Sequence, residues 1–276
     1  MTQPLVSICI PLFNCENYIK EALDSIKNQT YDNIEVIICD DQSHDRSAEI
    51  SRTYAQQNPD LDIKVFESDV NRGLESNWNW SISKAKGKYI KLLPSDDYLY
   101  PECISRQVEA FEDSGEKISL VFCCRQIINK NGKPIVQTGP KKSGRVKARD
   151  LLELCLLRGT NVMGEPGAVL FERSTAEKVG EFNGTLPYVI DLDYWMRLLD
   201  HGDGYALADP LCTFRIDQNL SVRLGLKRPK NFNALMARMA EKHNFGKTAR
   251  FTGKLRTYFN ELLRRTFYAY LHITSR

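Results

Sequence analysis

A chain of 276 residues with 42% hydrophobic and 26% charged side chains carries enough apolar material for a sizeable core, at the upper end of what one core supports. No run approaches the roughly 20 apolar residues of a membrane span. The opening "MTQPLVSICIPLF" lacks the basic start of a secretion signal, so the expected setting is the cytoplasm, with the inner face of the cell membrane as a peripheral site. The net charge of +3 hides an asymmetry: from Arg223 to Arg276, 13 Lys and Arg stand against Glu241 and Glu261, a local +11, and the rest sums to −8.

The first half alternates β-rich runs with helical patterns. "VSICIP" precedes "ENYIKEALDSIKNQ", where Tyr18, Ile19, Ala22, Leu23 and Ile26 recur at helical spacing, and "IEVIICD" precedes a helical stretch over 43–57. "IKVFES" leads through "DVNRGLESNWNWSISKAKG" to "KYIKLL". Strands alternating with helices predict βαβ units and a largely parallel sheet with helices on both faces, an α/β fold. Beyond Pro101 we expect a helix to about Ser114, a strand and hairpin over "ISLVFCCRQIIN" and "KNGKP", and a helix near 147–157. There follow a strand at "GAVLFE", a helix at "DLDYWMRLLDHG", and short strands "GYALA" and "LCTFRI". From Pro229 the pattern is helical to the end, interrupted near 244–246, and Tyr258, Leu262, Leu263, Phe267, Tyr270 and Leu271 form an apolar stripe.

Two strands end in paired acids, Asp40 and Asp41 in "IICDDQSHD" and Asp96 and Asp97 in "KLLPSDD". Open α/β sheets bind ligands outside the carboxyl ends of their strands. One acid pair alone reads first as a helix cap; two pairs at equivalent tips point to a cation or converging donors, because crowded carboxylates repel. The eight cysteines are scattered and without a CxxC pair, which predicts buried reduced thiols, and the four histidines have no metal-ligand spacing. No G-x-x-x-x-G-K-[ST] or G-x-G-x-x-G occurs, which excludes a glycine cradle for phosphate.

"VSICIPLFNCENYIKEALDSIKNQTYDNIEVIICDDQSHDRS" resembles the opening of the family 2 inverting glycosyltransferases of the GT-A fold, a Rossmann-like architecture. "NRGLESNWNWSISKAKGKYIKLLPSDDYLYP" is similar to that family's stretch leading to its metal-binding D-x-D motif, and "GEPGAVLFERSTAEKVGEFN" with "DLDYWMRLLDHG" to the half that carries its catalytic base. The resemblance implies that Asp41 reads the nucleotide base, with Pro11, Phe13, Glu16, Gly73, Asn79 and Ser95 around the nucleotide. It implies that Asp96 binds Mg²⁺ or Mn²⁺, with Pro94 standing where the first Asp of the motif often is. Asp97 reads as a helix cap or a second ligand. Asp217, where relatives often carry His, reads as an oxygen ligand or a loop acid.

A base must remove the proton of an attacking hydroxyl. Asp191 and Asp193 are two apart and face different ways on a helix. By itself Asp191 reads as a helix N-cap; the family pattern E-D-x-x-x-W puts it on the base, with Ile190 replacing the Glu, and leaves Asp193 as a first-turn acid.

These readings give a transferase domain over 1–222, with a nucleotide half 1–101 and an acceptor half 102–222, and a basic helical appendage over 223–276. The resemblance implies a reaction that moves a sugar from a nucleotide sugar, UDP-linked by preference, to a saccharide or lipid-linked saccharide hydroxyl in bacterial surface-polysaccharide assembly. The rivals are a sugar-phosphate nucleotidyltransferase, whose glycine-rich basic loop is absent, and a non-catalytic binding module. For the basic tail, packing on the core and contact with an anionic membrane compete, and no nucleic-acid module is evident.

Overall fold

The computed structural model describes residues 3–114, 117–216 and 227–274, with side chains through residue 267. Its first half is three strand-helix units and a fourth strand: β1 (Val6–Leu12), α1 (Ile19–Lys27), β2 (Ile34–Asp40), α2 (Ser47–Gln57), β3 (Asp62–Glu67), α3 (Leu74–Ser83) and β4 (Tyr89–Leu92). There follow α4 (Cys103–Glu112), β5 (Ile118–Asn129), β6 (Pro134–Thr138), β7 (Gly144–Val146), α5 (Ala148–Arg158), β8 (Val169–Glu172), α6 (Arg173–Val179), α7 (Ile190–Leu199) and β9 (Asp203–Ile216). Two helices close the chain, α8 (Lys227–Lys242) and α9 (Lys247–Thr274).

One sheet runs through both halves in the order β3-β2-β1-β4-β8-β5-β9-β7, with β6 on β5. The β3-β2-β1-β4 part is parallel, as βαβ units require. The sheet turns antiparallel where β8 pairs with β4 and β5, and β5 and β9 are again parallel. The two strands expected over 203–216 form one, bent by register shifts opposite Cys123 and Cys124. The short β7 has no clear signal in the sequence.

Alternation along β1 explains the two cores. Val6, Ile8, Ile10 and Leu12 face a cluster built by α1, α2 and α4, while Cys9 faces a cluster built by α5, α7 and α8. Both faces are covered, so β1 and β2 read as continuous apolar runs. Trp78 and Trp80 pack against the second cluster, and all eight cysteines are buried free thiols. The reversal of strand order at β1 and β4 opens a crevice at their carboxyl ends.

The basic region is anchored in the core by α8, whose Phe232, Leu235, Met236 and Met239 join the second cluster. The break expected at 244–246 is where Asn244 adopts φ 54°, a left-handed conformation that Asn tolerates. No described helix is long and apolar enough to cross a membrane.

Candidate functional site

The loops after β1 and β2 are stitched together by their own backbone. Asn14 N donates to Ser43 Oγ at 2.9 Å, Cys15 N to Ser47 Oγ at 2.7 Å and Glu16 N to Asp45 Oδ2 at 3.0 Å. In return His44 N donates to Asn14 Oδ1 at 2.8 Å and Arg46 N to Glu16 Oε2 at 3.0 Å. Asn14 (φ 48°) takes the left-handed conformation that Asn tolerates, and Gln42 (φ 61°) takes it at a cost, so the seam holds strained backbone at Gln42 on the crevice rim. Pro11 is half-buried between the buried Ile10 and Leu12 of β1, and the ring of Phe13 stands exposed beside His44.

Asp41 is 2% exposed and caps no helix: Arg72 N donates to its Oδ1 at 2.6 Å and Gly73 N to its Oδ2 at 2.9 Å. That bond explains Gly73, whose φ of 80° lets its amide turn toward the carboxylate. The acid at the start of α2 is Asp45, which accepts from Ser47 N at 2.9 Å. On α3 the side chain that reaches the strand tips is Asn77, bonded to Cys39 O at 3.1 Å. Asn79 lies on another side of the helix, donating to Phe182 O at 3.1 Å and accepting from Phe182 N at 2.8 Å, so its amide is committed to that backbone.

Asp96 and Asp97 separate in role. The helix after them begins at Cys103, so Asp97 is not its cap; it is 2% exposed and accepts from Arg215 N at 2.6 Å, tying the β4 tip to β9. Burial first, and then the Asp96 charge, push its carboxyl well above the usual range. Arg215 is committed to structure as well: its Nε donates to Asp96 O at 2.7 Å and its guanidinium pairs with Glu21 over the Tyr18 ring. Asp96 is part-buried at the crevice, beside Ser95, which bonds the Cys15 thiol. Among the described residues no three His, Cys, Asp or Glu side chains converge. The donor set fits a hard dication held by the one carboxylate of Asp96, with ligand phosphates and water in its other positions, and does not fit an all-protein cage. Asp217 lies outside the described residues.

Asp191 lies in the first turn of α7 without acting as its cap. It lines a cavity of about 540 Å³ together with Arg125, Asn161, Glu165 and the α9 residues Thr257 and Glu261. Asn161 Nδ2 donates to Asp191 Oδ2 at 3.1 Å, and Asn161 Oδ1 is itself fixed by Met163 N and Gly164 N at 3.0 and 3.1 Å. Trp195, one helical turn on, donates from Nε1 to Gly164 O at 3.1 Å. The D-x-x-x-W spacing thus sets acid and indole on one helix face against one turn. Gly164 is required there, because at φ 104° a Cβ would stand 3.0 Å from both Ala168 and Arg125. Burial first, and then the Glu165 charge, raise the Asp191 carboxyl from 3.8 to about 7, against the bonds from Leu192 and Asn161. Asp193 faces elsewhere, paired with Arg197 at 2.9 Å.

Glu165, Arg125 and Asn161 join the candidate site around Asp191 without any motif that marks them. Glu165 pairs with the buried Arg125, and its charge acts on both Asp97 and Asp191, so it stands between the β4 tip and the cavity. The turn that carries it lies against the same tip: a Cβ on Gly167 would sit 3.8 Å from Leu93 and Pro94. The available signal was a charged residue in "GEPGAVLF", where an apolar strand begins.

The sequence model described as Glycosyl transferase family 2 matches residues 7–179, more than half of the chain. An uncharacterised glycosyltransferase of Rickettsia typhi is 28% identical over 239 residues, covering 87% of this chain and 72% of that protein. Another, from Rickettsia bellii, is 32% identical over 71% of this chain, which spans only 27% of its length. Hyaluronan synthase of Pasteurella multocida is 29% identical over 83% of this chain and 22% of its own. Among solved structures, S. aureus TarS residues 1–349 in complex with UDP superposes with a TM-score of 0.65 at 19% identity, over 88% of this chain and 73% of that one. The mannosyltransferase PcManGT of Pyrobaculum calidifontis, in complex with GDP-Man and Mn²⁺, gives 0.64 at 18% identity over 94% and 70%. The match runs through the strands and loops that form the crevice, and the fold is that of the GT-A enzymes: the chain belongs to glycosyltransferase family 2.

Proposed function

We propose that the protein transfers a sugar from a nucleoside-diphosphate sugar to an acceptor hydroxyl with inversion, using Asp191 as base. The observation that carries this reading is Asp191 itself, a carboxyl raised to about 7, held by a fixed amide in a cavity large enough for a saccharide. A carboxylate of that basicity takes a proton from a hydroxyl more readily than an ordinary Asp at neutral pH. Attack from the cavity side on an anomeric carbon whose leaving group lies toward the β4 tip inverts the centre. Asp41, Gly73 and the loops stitched after β1 and β2 form the wall for the base and ribose, and Asp96 is the ligand for Mg²⁺ or Mn²⁺. A bound dication supplies neutralisation of the diphosphate leaving group.

Residues 1–101 supply the donor side and 102–222 the acceptor side. A UDP-sugar donor is supported by the fold shared with TarS, which binds UDP and UDP-GlcNAc; GDP-Man in PcManGT keeps guanosine as the alternative to test. Similarity to hyaluronan synthase supports a role in polysaccharide assembly, which we extend to a surface polysaccharide with a saccharide or lipid-linked saccharide acceptor. The test is donor hydrolysis, with water in the acceptor's place, followed by NMR. An α-linked UDP-sugar should first release the β-anomer, and Asp191→Asn should bind donor but turn over at least a hundredfold more slowly, on the order of one general base. Release of the α-anomer, or unchanged turnover in the variant, contradicts the proposal.

A further inference from the structure

Helix α9 has two faces with different fates. Gly253, Thr257 and Glu261, spaced four apart, are turned inward. The approach to α5 is close: a Cβ on Gly253 would lie 2.3 Å from Leu156 O, and one on Gly159 2.5 Å from Thr257 N. Asn260 Nδ2 caps the end of α5 through Arg158 O at 2.6 Å. The helix is therefore fixed on the core and its rotation is set.

The opposite face carries Phe251, Leu255, Tyr258 and Leu262, at offsets of 4, 7 and 11, and they are 66%, 57%, 43% and 59% exposed. A contiguous apolar stripe of this kind on a surface marks an interaction site. Lys247, Lys254 and Arg265 run along one flank of the stripe and Arg256 along the other, all exposed. The only acid over 247–267 is Glu261, which is inward and paired with Arg264 and Arg265. A second copy of the helix laid on this stripe brings like charges together, whereas an anionic surface complements them.

We propose that the outer face of α9 lies in the headgroup layer of an anionic lipid bilayer, parallel to its plane. The apolar stripe enters the acyl boundary and the flanking Lys and Arg meet acidic headgroups. Because Thr257 and Glu261 on the inner side of this helix line the Asp191 cavity, the seating brings that cavity within about one helix diameter, roughly 10 Å, of the lipid. This gives the lipid-linked acceptor of the proposed function a defined approach; the surface itself stands without that reading.

The full chain is sedimented with vesicles of phosphatidylcholine, with and without phosphatidylglycerol, while UDP binding in Mn²⁺ is measured calorimetrically on the same samples. Binding to the phosphatidylglycerol vesicles, weak on the neutral ones and reduced at high salt, is expected. Lys247→Gln with Lys254→Gln should lower partitioning about 25-fold, at about fivefold per basic residue near the surface. Phe251→Ser with Leu255→Ser should abolish it, and both pairs should leave the calorimetric result and the far-UV spectrum as in wild type. No binding to the anionic vesicles, equal binding to neutral ones, or a dimer that these serines convert to a monomer overturns the proposal. Vesicle binding without nucleotide binding overturns the transferase reading alone.

Discussion

Replacing Asp191 by Asn should destroy activity and yet stabilise the fold, with a pH dependence that identifies the cause. The Asp191 carboxyl stands at about 7 in the folded protein against 3.8 ordinarily, chiefly through burial. A folded pKa above the unfolded one means that the wild type carries no penalty below about pH 4 and loses stability as pH rises through about 7. Three units at about 1.36 kcal/mol each set the full penalty near 4 kcal/mol, and water in the cavity screens part of it, so about 2–4 kcal/mol is expected. Asn retains the shape and an oxygen for the Asn161 amide now at 3.1 Å, while the neutral group removes the repulsion from Glu165. Urea unfolding of wild type and variant at pH 4 and pH 8 measures the difference. Equal stabilities at the acidic pH and a more stable variant at the alkaline one are predicted. A variant that is less stable at pH 8, or a difference that does not change with pH, refutes the assigned environment.

Three further perturbations follow from the same geometry. Glu165→Gln removes a charge that raises Asp191 and leaves Arg125, which lowers it, so the acidic limb of the pH profile for donor hydrolysis should move down by about one unit. Asn161→Ala removes a bond that favours the carboxylate, so the limb should move up; an upward shift in the first variant contradicts the Glu165 assignment and a downward shift in the second the Asn161 one. In calorimetry, Asp97→Asn keeps an acceptor for Arg215 N and should leave Mn²⁺-dependent UDP binding within about threefold, whereas Asp96→Asn should weaken it more than about tenfold. Gly253→Ala, ordinarily worth up to about 1 kcal/mol of stabilisation inside a helix, should instead lower thermal stability by about 1–3 kcal/mol, because the new Cβ meets Leu156 O; a raised melting temperature contradicts the packing of α9 on α5.

The alternation of apolar runs and helical patterns made the β3-β2-β1-β4 half legible, because β1, β2 and β4 are buried on both faces, with only the edge strand β3 part-exposed, and the crossover helices turn apolar residues inward. The second half was legible as elements and not as topology. Nothing local in "GAVLFE" tells that β8 inserts antiparallel between β4 and β5, since strand partners are chosen by long-range packing. Among residues of the candidate site, the motifs led to Asp41, Asp96 and Asp191, whose neighbours in sequence share their loops. From sequence Asp97 reads as a helix cap or a second ligand, because its partner, the Arg215 amide, is 118 residues away. Asn79 and Asn77 are separable only once the facing of α3 is known. Glu165 and Arg125 escaped because their meaning is their pairing, between a turn and a strand 40 residues apart.

The central claim is that the crevice between the β1, β2 and β4 tips binds a nucleoside diphosphate through a dication. Calorimetric titration with UDP, dTDP, GDP and ADP, each in Mn²⁺ and again in EDTA, tests it most directly. The account predicts binding of one nucleotide, UDP in the first place, that vanishes in EDTA and in Asp96→Ala. Nucleotide binding of equal affinity with and without the metal, or binding that survives in Asp96→Ala, contradicts it.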